Sequence, residues 1–495
     1  MKLEDKRLLK DALRDAAVIG LIILLCRFTK GGLTLAIAAY GVWAGLSHRR
    51  AVAIGCFLLY PLLTILNPAI IAGGARGIVL RLGLFSMAFA LVMSGSRAAG
   101  RTVLPLGCMV PYLFAAAISS LTGYAPLVSY MKLLNFVAIL LGIWIGFKNI
   151  DRNPVDVLKV RKVFFAIVAF LILGSCLTIL VPAYGYCNDA SRLASCGLDL
   201  EEINEILKYS TEVRLFSGVT NQSQCLAVLM PCAVAWLLCD MLFVARRITL
   251  VHSVLIFSGL PLLYMTRSRI ALATSLAAVT MIYFYAISRI PVKPRLKMAL
   301  RSGMTGALVL MAILGVVAEI KDQSVSKWIR KTDDVAMDQR SLGEAVTSSR
   351  QGLMAESMRD FKKNPLVGMG FQVAWYNEHL KGKIVFSAPV EKGVLPVMVL
   401  GETGALGAIA FAVFLLGFFG ACIKKRYVVT ATLFATFLAT NMGEATFFSP
   451  GGVGGIMWVL CAGGGFTIDM LVIARKRNEY AFEMLYRNAK IKLFK

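Results

Sequence analysis

Charge is scarce in this sequence. Asp, Glu, Lys and Arg make up 16% of the 495 residues, whereas soluble domains carry about a quarter. Hydrophobic residues make up 58%, and the mean hydropathy is +0.72. This balance excludes an ordinary soluble protein. The apolar residues form unbroken runs of roughly 20, the length at which a helix spans a bilayer core. The composition therefore predicts an all-α polytopic membrane protein.

Histidine is almost absent, and cysteine is not clustered. The three histidines, His48, His252 and His379, lie far apart in the sequence, and no C-x-x-C pair occurs. Zinc sites need closely grouped ligands, so we expect neither a metal site nor a cofactor. Cys187 and Cys196 lie in a polar connection rather than in an apolar run. We expect a disulfide between them if this connection faces an oxidising compartment; two free thiols are the alternative.

The apolar runs predict about 12–14 transmembrane helices. Residues 1–320 hold about eleven of them, interrupted by a polar connection at 183–216, and residues 390–474 hold about three. Between these parts lies a large polar connection, 321–389, and residues 475–495 form a charged tail. The candidate spans are 16–29, 31–47, 51–71, 78–95, 102–121, 129–147, 163–182, 217–239, 248–266, 270–288, 302–320, 390–420, 427–442 and 452–474. The first two are short, and a re-entrant pair is the alternative there.

Lysine and arginine are distributed unevenly over the connections. Every second connection, counted from the N-terminus, holds the larger share of them, as the positive-inside rule requires of cytoplasmic segments. Both termini are therefore predicted to be cytoplasmic, and 183–216 and 321–389 to face the periplasm of a bacterial inner membrane. The formal net charge of +25 follows largely from this bias. Because the charge is spread over many loops, we expect the lipid bilayer as a partner and no nucleic acid.

Several arginines depart from this rule, because they lie on the predicted outer side. Arg214 precedes one span, and Arg350 lies in the large connection. Arg267 and Arg269 lie at the outer end of another span. A single such arginine commonly acts as an interface anchor. Several at one depth instead suggest an anionic ligand, and the planar guanidinium suits phosphate because it bonds two oxygens at once. These four are our candidates for binding a lipid diphosphate.

Segment 347–361 of the large connection is predicted to be a helix. Ser or Thr at its start suits an N-cap, and its apolar residues recur near helical spacing, which would bury one stripe. Asn364 and Pro365 are expected to end the helix. Gly368 and Gly370 then mark a tight turn of the backbone. A folded cap that only covers the outer face is the alternative.

Four short motifs occur in a fixed order along this part of the chain. They are R-L-F-S-G with N-Q-S-Q at 214–224, T-R-S-R at 266–269, Arg350 with its helix and N-P-L-V-G-M-G-F at 364–371, and E-T-G-A-L-G at 402–407. Together they resemble the O-antigen ligase and O-antigen polymerase superfamily of bacterial inner-membrane glycosyltransferases. The N-terminal half is similar only in consisting of apolar spans.

The resemblance implies an enzyme with a defined donor. Family members act on the periplasmic face, without a metal and with inversion, and move a glycan from undecaprenyl diphosphate to an acceptor hydroxyl. The acceptor is another lipid-linked glycan in a polymerase of O-antigen or exopolysaccharide, and lipid A–core in an O-antigen ligase. Arg269 and Arg350 would hold the diphosphate, with Arg214 as a third candidate. A chain-length regulator is the expected protein partner.

One departure from the family pattern favours the polymerase. Ligase-type members have a His-Asn pair about eleven residues before the glycine that is Gly404 here, and this chain has Glu391 followed by Lys and Gly in that region. A ligase mechanism that uses this histidine is therefore not carried over. The acceptor hydroxyl still needs a carboxylate or an imidazole to take its proton. Glu391 is the first candidate base, and His379 and Glu402 are the alternatives.

A flippase for lipid-linked glycans, or another transporter, is the alternative from a different class. A flippase predicts charges deep inside several spans and no long outer connection. A transporter predicts internal repeats with matching spans broken by Gly or Pro. Because we find neither pattern in the sequence, we prefer the enzyme.

The predicted topology can be tested by labelling single cysteines in a background that lacks Cys187 and Cys196. Cysteines placed in 323–345 should react with a membrane-impermeant maleimide in intact cells, because the reagent reaches only the outer side. Cysteines placed after Arg475 should react only after lysis. Labelling of the tail without labelling of 323–345 would show that the orientation is reversed.

Overall fold

The computed structural model describes residues 3–29, 32–47, 49–67, 76–96, 104–148, 154–181, 216–289, 342–382, 393–449 and 452–477, with a few positions between 298 and 306. Within these ranges every regular element is helical and no strand occurs, which confirms the predicted all-α class. The remaining residues include four of the predicted site residues and one predicted loop, which therefore lie outside the described residues: Arg214, Glu391, Cys187, Cys196 and nearly all of 183–216.

The described chain folds as a bundle of apolar helices. The helices are α1 (Leu3–Phe28), α2 (Gly32–Leu46), α3 (Arg50–Ile65), α4 (Arg76–Ser96), α5 (Val110–Thr122), α6 (Pro126–Gly146), α7 (Pro154–Ile179), α8 (Ser223–Cys239), α9 (Leu250–Met265), α10 (Arg269–Arg289), α11 (Leu342–Lys363), α12 (Leu395–Lys425), α13 (Val428–Thr440), α14 (Val453–Trp458) and α15 (Gly465–Arg477). Among the described residues, seven helical segments are long and apolar enough to cross a membrane, and five shorter apolar helices accompany them. The protein is thus a multi-pass membrane protein. The count of about 12–14 spans stays a prediction, since most of 302–320 lies outside the described residues.

Two helical segments form the centre of the bundle. The most apolar stretch of Ser223–Ala245 is 83% buried, and that of Val453–Arg475 is 89% buried, against 28% for α12. Small residues allow this close packing: a Cβ added to Gly464 would lie 2.9 Å from the indole nitrogen of Trp236. Outer helices instead expose large apolar side chains, such as Phe257 and Leu416. These surfaces suit contact with lipid.

α11 lies at one end of the bundle, called the α11 end below. There α3, α9 and α13 finish and α8, α10 and α12 begin. Backbone hydrogen bonds join these ends: Asn67 N–H to Val219 O (2.9 Å), Phe216 N–H to Met265 O (3.5 Å) and Leu395 N–H to Asn441 O (3.1 Å). The turns at this end include residues 216–218 of the first motif, residues 266–268 of the second and residues 364–371 of the third.

A buried ionic network closes the opposite end, where α7 and α9 begin. Arg161 Nε and Nη2 donate to the two carboxylate oxygens of Asp240 at 2.6 and 2.7 Å. His252 Nε2 lies 2.9 Å from the same carboxylate, and its backbone N–H donates to Thr249 Oγ1 at 3.4 Å. A fully buried carboxylate is stable only when paired and hydrogen-bonded. The network therefore ties α7, α8 and α9 together.

The chain breaks the helical geometry of α12 at Gly404, which has φ 63° and ψ −165°. Such a break leaves backbone groups without their usual partners, and at membrane depth these must be satisfied by protein. The loop that follows α11 supplies the partners. Its four backbone hydrogen bonds run from Met369 N–H to Gly401 O (3.0 Å), Gly370 N–H to Glu402 O (3.0 Å), Ala405 N–H to Pro365 O (2.8 Å) and Leu406 N–H to Leu366 O (3.1 Å).

Glycine is required where the loop and the broken helix meet. Gly368 and Gly370 have φ of 73° and 110°, which confirms the predicted tight turn. A Cβ added to Gly368 would lie 2.4 Å from the backbone of Glu402, and one added to Gly404 would lie 2.4 Å from Leu366 O. Left-handed φ and close backbone approach both exclude a side chain at these positions.

The ends of α11 fit the sequence analysis only in part. α11 stops at Lys363, immediately before Asn364 and Pro365, as predicted. Its start at Leu342 precedes the expected Ser/Thr cap by several residues, so the predicted N-cap is wrong. Leu, Glu and Ala in this first turn are good helix formers, and Ser and Thr are tolerated inside a helix that has already begun.

Substitution of Gly404 tests the joint between the loop and α12. Gly404→Ala should lower the free energy of unfolding by about 1–3 kcal/mol or more, because the alanine must hold a strained φ against a carbonyl oxygen. Gly420→Ala is the matched control in the same helix, since its Cβ would meet nothing within 4 Å. The measurement is thermal unfolding of both variants in detergent micelles. Equal midpoints for Gly404→Ala and wild type would contradict the joint.

Candidate functional site

α11 packs its predicted apolar stripe against the first turns of α12. A Cβ added to Gly393 would lie 3.3 Å from Leu353 Cβ and 3.4 Å from Met354 Cγ. One turn farther along α11, at Ser357, the backbone oxygen would lie 2.7 Å from a Cβ added to Gly401. The glycines let the two helices approach closely, and α11 is thereby held in register with α12.

Arg350 on α11 pairs with Glu444, an acid that the sequence analysis did not single out. Arg350 Nη2 donates to Glu444 Oε1, and the two side chains are 19% and 15% exposed. Glu444 lies in the turn between α13 and α14, so the pair joins two parts of the chain far apart in sequence. The main consequence of this pair is that a guanidinium and a carboxylate stand side by side.

The turn that carries Glu444 is built around the side chain of Asn441. Asn441 Oδ1 accepts Thr446 N–H at 2.7 Å, and Asn441 Nδ2 donates to Phe437 O at 2.8 Å. Glu444 N–H donates to Thr440 O at 3.2 Å, and Thr446 N–H also lies 2.7 Å from Glu444 O. These bonds hold the Glu444 backbone from both sides. The carboxylate is therefore presented by a well-connected turn; residues 440–446 are called the Glu444 turn below.

The start of α10 contacts the same turn. A Cβ added to Gly443 would lie 2.1 Å from Ile270 Cδ1 and 3.2 Å from Ile270 Cβ. Arg269 precedes Ile270, and Arg267, with φ 52°, lies in the middle of the tight connection from α9. The second motif thus ends next to a residue that contacts the Glu444 turn, and Arg350 of the third motif forms an ion pair with Glu444 itself. Ile270, next to Arg269, and Arg350 therefore both contact this turn.

A buried polar layer supports the loop beside this turn. Lys132 Nζ donates to Gln372 O, and Gln372 Nε2 lies 3.4 Å from Glu402 Oε1. Ser119 Oγ donates to Glu402 O and accepts Gly370 N–H at 3.1 Å. Glu402 is fully buried and Lys132 is nearly so. Buried charges must be hydrogen-bonded or paired. This layer therefore holds the side chains of Lys132 and Glu402 in place together with the loop.

Tyr124, between α5 and α6, ties the same region to the end of α11. Tyr124 Oη donates to Asp360 Oδ1 at 2.6 Å, and Lys363 Nζ donates to Tyr124 Oη at 3.2 Å. Burial raises the pKa of the Tyr124 phenol above its usual range, and the neighbouring Asp360 carboxylate raises it further. The hydroxyl therefore stays protonated and keeps its role as a donor.

The candidate bases lie in different surroundings. His379 lies on an exposed 3₁₀ turn, Trp375–Leu380, with Nδ1 2.7 Å from Tyr376 O. Glu402 is enclosed beneath the loop, as described above. Glu391 lies outside the described residues, as does Arg214. Which group takes the proton therefore stays a prediction.

Two side chains of this region were missed by sequence reasoning. Glu444 is an acid in a short polar turn between two apolar helices, and that position is the signal that could have drawn attention to it. Gln372 follows the predicted glycine turn directly and has φ 55°. Its role depends on Lys132 and Glu402, which are distant in sequence. No local pattern predicts that contact.

The assembled residues offer two chemical functions at one end of an apolar bundle. Guanidinium groups can bind a phosphate, and a carboxylate can accept a proton. No model of a known protein family and no curated protein matches this chain.

Disulfide trapping tests the contact between α10 and the Glu444 turn. In the double variant Ile270→Cys with Gly443→Cys, oxidation should form a cross-link, since the Cβ separation approaches the ~3.8 Å typical of disulfides. Leu276→Cys with Gly443→Cys is the control, because Leu276 lies more than a turn farther along α10. Mass spectrometry of non-reduced peptides is the readout. A cross-link in the control alone would show that the contact is misassigned.

Proposed function

We propose that the protein is a polysaccharide polymerase that acts on lipid-linked glycans. It transfers a glycan from an undecaprenyl-diphosphate donor to a lipid-linked acceptor at the periplasmic face of a bacterial inner membrane. The observation that carries this proposal is that Arg350 pairs with Glu444 while Ile270, next to Arg269, packs on the same turn. Arg269 and Arg350 are the two arginines that the resemblance implies for the diphosphate, and they come from separate motifs.

The chemistry of the reaction agrees with this arrangement. A lipid diphosphate gains negative charge as its bond to the anomeric carbon breaks. Guanidinium groups aimed at its oxygens stabilise that charge, and they do so best in a site that is partly shielded from water. No protein nucleophile is needed for a single displacement with inversion.

The depth of the arginines also supports a lipid substrate. Arg269 opens α10, an apolar helix long enough to cross a membrane, and Arg350 pairs on the turn that follows the apolar helix α13. The ends of such helices lie near the headgroups of a bilayer. The diphosphate of a membrane-bound polyprenyl chain lies at the same depth.

Alanine replacement of the two arginines tests the proposal. Arg269→Ala and Arg350→Ala should each lower polymer formation by about 100-fold or more, because each removes a donor to the leaving diphosphate. Lysine replacements should recover little, since an ammonium lacks the planar fork. The exposed Arg359→Ala, also on α11, is the matched control. The measurement is polysaccharide length in the source bacterium carrying each variant, with protein levels checked by immunoblot.

Two outcomes would count against the polymerase. Wild-type polymer length in both alanine variants would contradict the proposal. Glycan attached to lipid A–core without elongation would indicate a ligase instead. Activity of the purified protein should survive EDTA, since the enzymes it resembles are metal-independent.

A further inference from the structure

Glu444 is an acidic side chain in a cationic corner of the molecule. Its carboxylate accepts from Arg350, and its turn is contacted by the residue that follows Arg269. The side chain is 15% exposed. It is thus reachable from solvent, in contrast to the fully buried Glu402.

Several contacts other than the ion pair also hold α11 in place. α11 already packs against Gly393, just before α12, and against Gly401 of α12, and its far end is tied to Tyr124 through Asp360. The loop after α11 adds four backbone hydrogen bonds to α12. A catalytic role accounts better than a structural role for the Glu444 carboxylate at this position.

A catalytic group must be held in a fixed position, and the Glu444 turn meets this requirement. Asn441 holds the turn through Thr446 and Phe437, and it links the turn to α12 by accepting Leu395 N–H at 3.1 Å. A group held within a fraction of an ångström reacts more efficiently than one on a mobile loop.

We infer that Glu444 is the general base that takes the proton of the acceptor hydroxyl, an inference that rests on the proposed polymerase function. The acceptor O–H bond breaks as the oxygen forms a bond to the anomeric carbon of the donor glycan. The bond from that carbon to the diphosphate oxygen breaks, and its electron pair leaves with undecaprenyl diphosphate. The proton passes to a Glu444 carboxylate oxygen and then to water. Arg350, beside this carboxylate, binds the diphosphate.

Three other side chains of the region that could accept a proton are less suited to this step. Asp360 is buried and accepts from Tyr124. Glu402 is buried beside Gln372. His379 is exposed but lies on a separate 3₁₀ turn. Among the described acids and histidines discussed here, Glu444 alone is both accessible and paired with a proposed diphosphate-binding arginine.

The test uses the full-length protein in nanodiscs and the single-unit lipid-linked glycan that accumulates in a strain lacking this protein. Glu444→Gln should lower kcat by about 100- to 10,000-fold while the KM for the lipid-linked donor stays unchanged or falls. Glu444→Asp should retain an intermediate kcat, because it keeps a carboxylate one methylene away. Glu378→Gln, an exposed acid on the 3₁₀ turn, is the control and should behave as wild type.

A charge-swapped double variant, Arg350→Glu with Glu444→Arg, separates a base from a structural latch. Restored activity in this variant would show a latch and overturn the inference. A wild-type kcat in Glu444→Gln would overturn it as well, while leaving the polymerase in place. A wild-type protein that elongates no lipid-linked glycan would overturn the proposed function itself. If Glu444→Gln does not fold, the kcat of Glu444→Asp is used instead. A wild-type kcat in Glu444→Asp, together with restored activity in the charge-swapped variant, would show that Glu444 is not the base.

Discussion

Four backbone hydrogen bonds between the loop at 365–370 and the broken helix α12 are the interaction on which the rest of this end of the molecule depends. A helix interrupted among apolar helices exposes N–H and C=O groups that lipid cannot satisfy. Here the interruption at Gly404 is closed by another segment of the same chain, residues 365–370. The loop is therefore bonded directly to a helix of the apolar bundle.

Several features of the α11 end follow from this joint. α11 directly precedes the loop, so its position is set by the loop and by its own packing on α12. Arg350 is thereby brought to the Glu444 turn, where the start of α10 already lies. The polar layer of Lys132, Gln372 and Glu402 supports the loop from the side of α5 and α6. Each connection involves a different part of the chain, and the site exists only when all are made.

Much of the architecture could be predicted from the sequence because it depends on local patterns. Apolar runs predict membrane helices, Asn364 and Pro365 end α11, and the glycines at 368 and 370 adopt the left-handed φ that a tight turn needs. The arginines at predicted outer positions pointed to this end of the bundle. Each of these signals lies within a few residues of the feature that it predicts.

Other features could not be predicted, for a physical reason that they share. Gly404 lies in an apolar run where glycine usually permits close helix packing, and only the distant loop reveals that it breaks the helix. The pairing of Arg350 with Glu444, and the contact of Gln372 with Lys132, join residues that are far apart in sequence. Their energies depend on tertiary neighbours, which a single sequence does not display.

Residue-resolved hydrogen exchange of the protein in nanodiscs tests this account most directly. The amides of Met369, Gly370, Ala405 and Leu406 should exchange as slowly as those in the buried helix α8, because they are bonded inside the protein. The exposed amide of Gly382 should exchange rapidly under the same conditions. Exchange of the four amides at the rate of Gly382 would show that the break in α12 is open, and would contradict the account.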